Sequence, residues 1–452
     1  MVAYATGHIY NDLCATVWFM YLLYFISYTI EFGPALASLA LLSGQIADGF
    51  STNIIGFLID KTRTRFGKRT PWFVFGTLVV APWFYLTFNS WFAWDLICGN
   101  KDSGKWANGK YTMIAYIYYI TLPALFNVGW AAVQISTMSI IVSITYDQKM
   151  RDSLISYRNA CTFGSNLFTL IIALLLFEYE SVAIWQFRIL VLIITCIGIW
   201  WSAFYLYGVR EVKLSTKAIT EGIQYSSWSV ESRGNTVENW REWLTIKQFY
   251  FYGFVYTLAR MSINVSMTLT PFYLIHVLKF HKEIDEPTPP EIASVPLVSY
   301  LSSMIFSLFY STKFNTIFNE YNRLLTLICG ATLVTISSIP FIFMQESTHW
   351  FIYVCVPIQG AGLAIGLNVS ASLISDMLGR NNKNSAFVYG SYSLLDKFGS
   401  GLLLVLIGET VIENTAYLRG LCGILPITTC FFSCLFAYLG QDESSAEIKD
   451  FN

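Results

Sequence analysis

Twelve apolar runs, most of them near or above the ~20 residues that an α-helix needs to cross the hydrocarbon of a bilayer, leave this chain few folds to choose from. They fall at 8–31, 36–60, 71–94, 112–145, 153–177 and 184–208, and again at 248–278, 292–311, 323–344, 350–376, 385–408 and 417–439. Lipid offers no partner to a backbone N–H or C=O, so runs of this length have to close their hydrogen bonds internally, as helices. The expected fold is an all-α membrane protein of twelve transmembrane helices in two six-helix bundles. Composition agrees with it: 13% of residues are charged and 55% hydrophobic, whereas a soluble domain carries about 25% charge.

The only long polar stretch lies between the two sets of runs. It predicts four parts: an N-terminal bundle at 1–210, a cytoplasmic linker at 211–247, a C-terminal bundle at 248–440 and a cytoplasmic tail at 441–452. The linker mixes Ser, Thr, Glu, Lys and Arg without apolar periodicity, but its Trp228, Trp240 and Trp243 suggest that part of it lies against the bundle or the lipid headgroups. The tail, QDESSAEIKDFN, is acidic and is expected to be disordered. More than half of the 28 Lys and Arg residues fall in the connections after even-numbered runs, which places those loops and both termini on the cytoplasmic side. A basic n-region with a small-residue cleavage site is lacking, so the first run is expected to serve as the targeting element. No clear dileucine or tyrosine sorting signal stands on the cytoplasmic side.

Charges inside apolar runs cost roughly 2.5–3.5 kcal/mol each on insertion scales and are functional by default. Asp48, Arg158, Arg260, Asp396 and Lys397 sit deep in such runs, and Asp12 lies early in the first. Three are acids and three are bases, the charge plan of a polar cavity. Each has a structural alternative. Asp48 can be a transport-site acid or a pin paired with Lys397, and Arg158 can meet substrate or stand as a permanent counter-ion to Asp12. Arg260 and Asn264, spaced i,i+4, share a helix face and suit either packing or substrate contact. Asp396 and Lys397 are neighbours and point about 100° apart, so Lys397 is assigned to the cavity and Asp396 to a helix–helix hydrogen bond. His8 reads as an interfacial polar residue.

Several function classes are excluded by what the sequence lacks. No Cys/His cluster has metal-ligand spacing, and no phosphate-cradling loop or nucleophile elbow appears; neither an enzyme nor an ATP-driven pump is expected, and no metal, cofactor or nucleic-acid partner. Eight of the nine cysteines fall within apolar runs and only Cys98 on an outward loop, which rules out a framework of paired exposed thiols.

The most specific local sequence leaves the second run. Asp48-Gly49, then Gly56, then DKTRTRFGKRTPW at 60–72 place five basic residues within nine positions, with Pro71 opening the next helix. This pattern resembles the cytoplasmic loop of the glycoside-pentoside-hexuronide:cation symporter family, a branch of the major facilitator superfamily. The likeness extends to Gly7-His8-Ile9-Tyr10-Asn11-Asp12, to Tyr157-Arg158 where that family has an inward-pointing arginine, and to Leu395-Asp396-Lys397-Phe398-Gly399 at its binding-site lysine. Residues 129–136 (GWAAVQIS), 259–266 (ARMSINVS) and the Leu-Asp-Lys of run eleven are similar to the animal branch of lysosomal and melanosomal cysteine importers.

The resemblance implies a transporter in which the two bundles rock about a central site. Asp12, Gln134, Tyr157, Arg158, Arg260, Asn264 and Lys397 would bind substrate, Asp48 and Thr52 would couple an ion or proton, and Asp60, Arg63 and Arg65 would gate. A zwitterionic amino acid such as cysteine needs one group for its carboxylate, here Arg158 or Lys397, and one for its ammonium, here Asp12 or Asp48. Gln134, Tyr157 and Asn264 would add neutral hydrogen bonds. Two departures from the sugar symporters matter. Their sodium site uses two acids one turn apart, whereas Asp48 is followed at i+4 by Thr52, which weakens the oxygen cage for Na⁺ and favours a proton or uncoupled transport. Gln134 stands where a sugar-binding acid is expected. A symporter of sugar, organic anion or lysophospholipid remains the rival within the class, and a transport-inactive sensor or scaffold the rival outside it.

Overall fold

The computed structural model describes residues 2–30, 32, 34–90, 109–144, 148–214, 216, 240–280, 287–309, 323–378, 385–412 and 414–450. Cys98, Trp228 and most of the linker lie outside them. The chain forms two compact units, one of residues 1–232 with 283–290 and 404–409, the other of the remainder.

Among the described residues there are twelve long helical segments, one for each apolar run. The first unit holds α1 (2–29), α2 (Pro34–Lys61), α3 (Thr70–Phe88), α4 (Gly109–Ile144), α5 (Gln148–Tyr179) and α6 (Ala183–Gly208). The second is built on α7 (Lys247–His276), α8 (Glu291–Phe309), α9 (Arg323–Phe343), α10 (Ile352–Leu378), α11 (Ser385–Ile412) and α12 (Thr415–Asp450). Nine are long and apolar enough to cross a membrane on length and composition alone. The other three are α2, diluted by Gln45, Asp48 and Asn53; α7, diluted by Arg260 and Asn264; and the shorter α8.

Two local features differ from the expectation, and a third, the packing of Trp243, agrees with it. α1 is not one regular helix: a 3₁₀ turn at Thr6–His8 and π-helical stretches at Val17–Tyr21 and Phe25–Thr29 interrupt it. Such wide turns cluster at functional sites. The tail expected to be disordered continues α12 through Asp450, because residues 441–450 contain no Gly or Pro and are rich in straight-chain helix formers. Trp240–Thr245 is a 3₁₀ helix that buries Trp243 against Phe249, Ile374, Val388 and Tyr392.

In the first unit α4 packs on α2 and α3, while α1 lies against α5 and α6. Among the described residues α1 is the most enclosed of the nine apolar candidate spans. Its Trp18 meets Phe126 at 5.0 Å and its Phe25 meets Phe88 at 4.9 Å. In the second unit α7 pairs with α12, and α10 packs on both α8 and α9. Water supplies no hydrophobic drive inside a bilayer, so association rests on close packing and buried hydrogen bonds. Glycine permits the closest approaches. A Cβ on Gly76 of α3 would stand 2.7 Å from the Gly129 carbonyl oxygen of α4, and one on Gly362 of α10 would stand 2.7 Å from that of Gly330 on α9.

Candidate transport site

Each unit buries polar side chains within apolar helices, and in the first unit they gather on α1. The 3₁₀ turn at Thr6–His8 swings His8 inward, and the absence of a side chain at Gly7 lets Tyr205 and Thr137 close over it. His8 is therefore buried rather than interfacial. Its Nδ1 lies 2.8 Å from Asp12 Oδ1, one helical turn on. The Thr162 hydroxyl of α5 donates to the other Asp12 oxygen at 2.8 Å. Asp12 itself is buried, so its charge is held by an imidazole and a hydroxyl, not by a direct bond to Arg158. Asn11 donates to the Trp130 carbonyl at 3.0 Å and Thr16 to Asn166 at 3.0 Å, tying α1 to α4 and α5.

Arg158 lies one turn before Thr162, whose hydroxyl also reaches the Arg158 carbonyl oxygen. The Nε of Arg158 is buried and has no hydrogen-bond acceptor among the described residues, while its neighbour Tyr157 is exposed. On α4 the Gln134 amide oxygen accepts from Trp130 Nε1 at 3.2 Å, leaving the amide N–H₂ available. On α2 the i,i+4 spacing of Asp48 and Thr52 produces a hydrogen bond of 3.2 Å, with both side chains buried.

The second unit has its own charged cluster. Asp396 of α11, 1% exposed, accepts from Arg260 Nε at 3.3 Å, Asn264 Nδ2 at 3.4 Å and Ser400 Oγ at 3.3 Å. Arg260 and Asn264 share a face of α7, and that face is turned to Asp396. The expected helix–helix hydrogen bond through Asp396 is thus present, and it engages the two α7 residues assigned to substrate. Lys397 is also buried.

The turn after α2 contains the densest polar knot, and its acceptor is a residue the sequence did not single out. Glu211, just past the end of α6, is buried and accepts from the backbone N–H of Lys68 (3.1 Å), Arg69 (2.9 Å) and Thr70 (3.1 Å). It also takes the Thr70 hydroxyl at 3.2 Å and Arg69 Nη1 at 3.2 Å. Arg69 Nε donates to Ser139 of α4. Gly67, at φ 109°, makes the turn that admits the carboxylate. The residues assigned to gating sit differently: Arg63 and Arg65 are exposed, Arg65 stacks over Phe66 at 4.7 Å, and the Asp60 side chain lies outside the described set. Nothing in sequence marks Glu211 or Thr162 as partners, since each bond joins distant segments; the i,i+4 spacing of His8 and Asp12 was there to be read. Among the described residues no group of three His, Cys, Asp or Glu is placed to hold a metal ion.

Comparison with known proteins follows from this architecture. A family model described as MFS/sugar transport protein matches residues 3–438. Major facilitator superfamily domain-containing protein 12 of Homo sapiens is 29% identical over 427 residues, covering 90% of this chain and 84% of that protein. An uncharacterized symporter of Synechocystis sp. is 27% identical over 175 residues, 39% of this chain and 30% of its own length. The solved structure of a D-xylose-proton symporter superposes with a TM-score of 0.66 at 12% identity, covering 96% of this chain and 95% of that one.

Proposed function

From the premise that this chain belongs to the MFS/sugar transport protein family of major facilitator transporters, we propose that it carries a small zwitterionic amino acid, cysteine, across an organelle membrane of the lysosomal or melanosomal kind. It is a multi-pass membrane transporter of a small molecule, not an enzyme. The cargo reading rests on one observation above others: each unit sets acids and bases within apolar helices. In the first unit Asp12 is hydrogen-bonded by Thr162, which lies one turn after Arg158 on α5; in the second Asp396 pairs with Arg260 and Lys397 is buried beside it in sequence.

Placing six charges within apolar helices, four of them buried, would for a neutral cargo carry desolvation costs with nothing gained. A zwitterion uses both signs. In this reading Arg158 takes the carboxylate through the Nε that lacks an acceptor, and Lys397 offers a second cationic contact. Asp12 and Asp48 supply the field for the ammonium, and the free amide of Gln134, with Tyr157 and Asn264, selects the side chain. The likeness of α4, α7 and α11 to animal cysteine importers supports the cargo. Asp48 with Thr52, lacking a second carboxylate one turn away, supports proton coupling over Na⁺. Both termini and the basic turn after α2 face the cytoplasm, and the division at 211–247 separates the two bundles.

Uptake of labelled cysteine into vesicles tests this reading. Cysteine is expected to outcompete its carboxylate-blocked ester and its N-acetyl form, with external choline in place of Na⁺ changing uptake little. Arg158→Ala, Asp48→Asn and Lys397→Ala should each lower uptake by about tenfold or more, the loss of roughly one charge-assisted contact. Equal competition by the blocked forms, or strong inhibition by a hexose, would show that no zwitterion clamp exists.

A further inference from the structure

We infer that His8 and Asp12 form the proton-binding site of the first unit, with His8 Nε2 as the atom that gains and loses the proton during transport. This rests on the transport reading above and deepens its proton coupling, which the sequence assigned to Asp48 and Thr52.

The geometry is that of a relay with one open end. A carboxylate can only accept, so the 2.8 Å contact from His8 Nδ1 to Asp12 Oδ1 fixes the proton of a neutral imidazole on Nδ1. Thr162 occupies the other Asp12 oxygen. His8 Nε2 is then a bare acceptor, buried, with no hydrogen-bond partner among the described residues. Most buried polar atoms find a partner; what sets Nε2 apart is that it belongs to an imidazole already held by a carboxylate. A proton arriving from one aqueous side forms an N–H bond at Nε2, turns imidazole into imidazolium beside the Asp12 carboxylate, and brings the pair from net −1 to neutral. It leaves from the same atom to the other side, restoring the imidazole.

Among the described residues around His8 and Asp12 there is no other group that ordinarily titrates in the same range. α5 brings Arg158 and, within electrostatic reach of Asp12, Cys161. α6 brings Tyr205 over Gly7 and Cys196 near Tyr10. α4 brings Thr137 and Gln134, which do not titrate. α1 itself adds Tyr4, Tyr10 and Cys14. Thiols and phenols ordinarily ionise near 8.5 and 10 and guanidinium stays charged, which leaves imidazole as the side chain whose charge changes between pH 5 and 8. Arg158 couples this site to cargo. A carboxylate bound there cancels part of the positive field that opposes a proton on His8.

The test uses the purified protein in vesicles loaded with a pH-sensitive dye, with labelled cysteine outside. Wild type should move protons with cysteine, and its uptake should differ several-fold between pH 5.5 and 7.5. His8→Gln, whose amide can still donate to Asp12, should lose the proton signal about tenfold or more and bring the uptake ratio to about one, because imidazole is the group that titrates in this range. If wild type carries cysteine without protons, the coupling and this site fall together. If wild type moves protons and His8→Gln moves as many per cysteine, the site alone is wrong. Should His8→Gln fail to insert, Asp12→Asn must show the same loss. A readout without cargo is the difference in thermal midpoint between wild type and His8→Gln, which must change across pH 5 to 8; a constant difference overturns the inference whatever the cargo.

Discussion

Replacing Glu211 by Ala removes an acceptor on which the start of α3 depends. Five contacts end on this one carboxylate, three of them from the backbone N–H groups of Lys68, Arg69 and Thr70. A helix N-terminus has no intrahelical partners for its first N–H groups, and its dipole favours an anion there. Hydrogen bonds to a charged group contribute roughly 1.5–3 kcal/mol each, but the five share one acceptor and do not add. Water also reaches the turn, where Lys68 is exposed, and recovers part of the loss. Arg69 keeps Ser139 at 2.9 Å. The net destabilisation expected is about 2–4 kcal/mol, which at ~2–4 °C per kcal/mol for a unit of this size is a drop of about 4–16 °C in thermal midpoint. The assay is loss of the monodisperse peak in detergent after heating at one fixed scan rate, since unfolding of such proteins is irreversible and rate-dependent. Glu211→Gln should lose at least half as much, because its N–H₂ faces donors. An Ala variant whose midpoint matches wild type within error refutes the reasoning and makes the knot a passive surface contact.

Two other substitutions probe the buried polar contacts and the packing. Asp396→Leu leaves Arg260, whose side chain is a third exposed, without its carboxylate and is expected to destabilise by about 1–3 kcal/mol, whereas adding Arg260→Leu should recover a large part of that, as ion pairs replaced by apolar groups often do; equal losses in the single and double variants, read as midpoints in detergent, would show that the pair is not coupled. Gly198→Val would drive a side chain into the Tyr10 ring that packs on it and should cost at least about 1–3 kcal/mol by overpacking. Tyr10→Ala in the same background should restore part of the yield of folded protein, and no restoration would mean the clash lies elsewhere.

The helices were legible because the bilayer imposes one rule on every residue of a span. Apolar run length located all twelve, including α2 and α7, whose polar residues thin the signal. The departures lie where the rule does not act. The π-helical stretches of α1 depend on what packs around it, since no local sequence period encodes a five-residue turn. Helix α12 runs on through Asp450 because propensity continues where hydrophobicity stops. Of the polar residues, i,i+4 pairs were readable: Asp48 with Thr52, and Arg260 with Asn264. Contacts between distant segments were not. Glu211 and Arg69 are 142 residues apart, Thr162 and Asp12 are 150 apart, and a single sequence carries no trace of either pairing. The i,i+4 spacing of His8 and Asp12 was as readable as the others; the burial of His8 was not, since it follows from the turn and from Tyr205 on α6.

The glycine contacts limit how each half can be re-engineered. Gly76 with Gly129 joins the third and fourth helices of the first half, and Gly330 with Gly362 joins the third and fourth of the second. In each pair a carbonyl oxygen of one helix stands 2.7 Å from where a Cβ on the other would be, so a larger residue at Gly76 or Gly362 has to move backbone and not merely a flexible side chain.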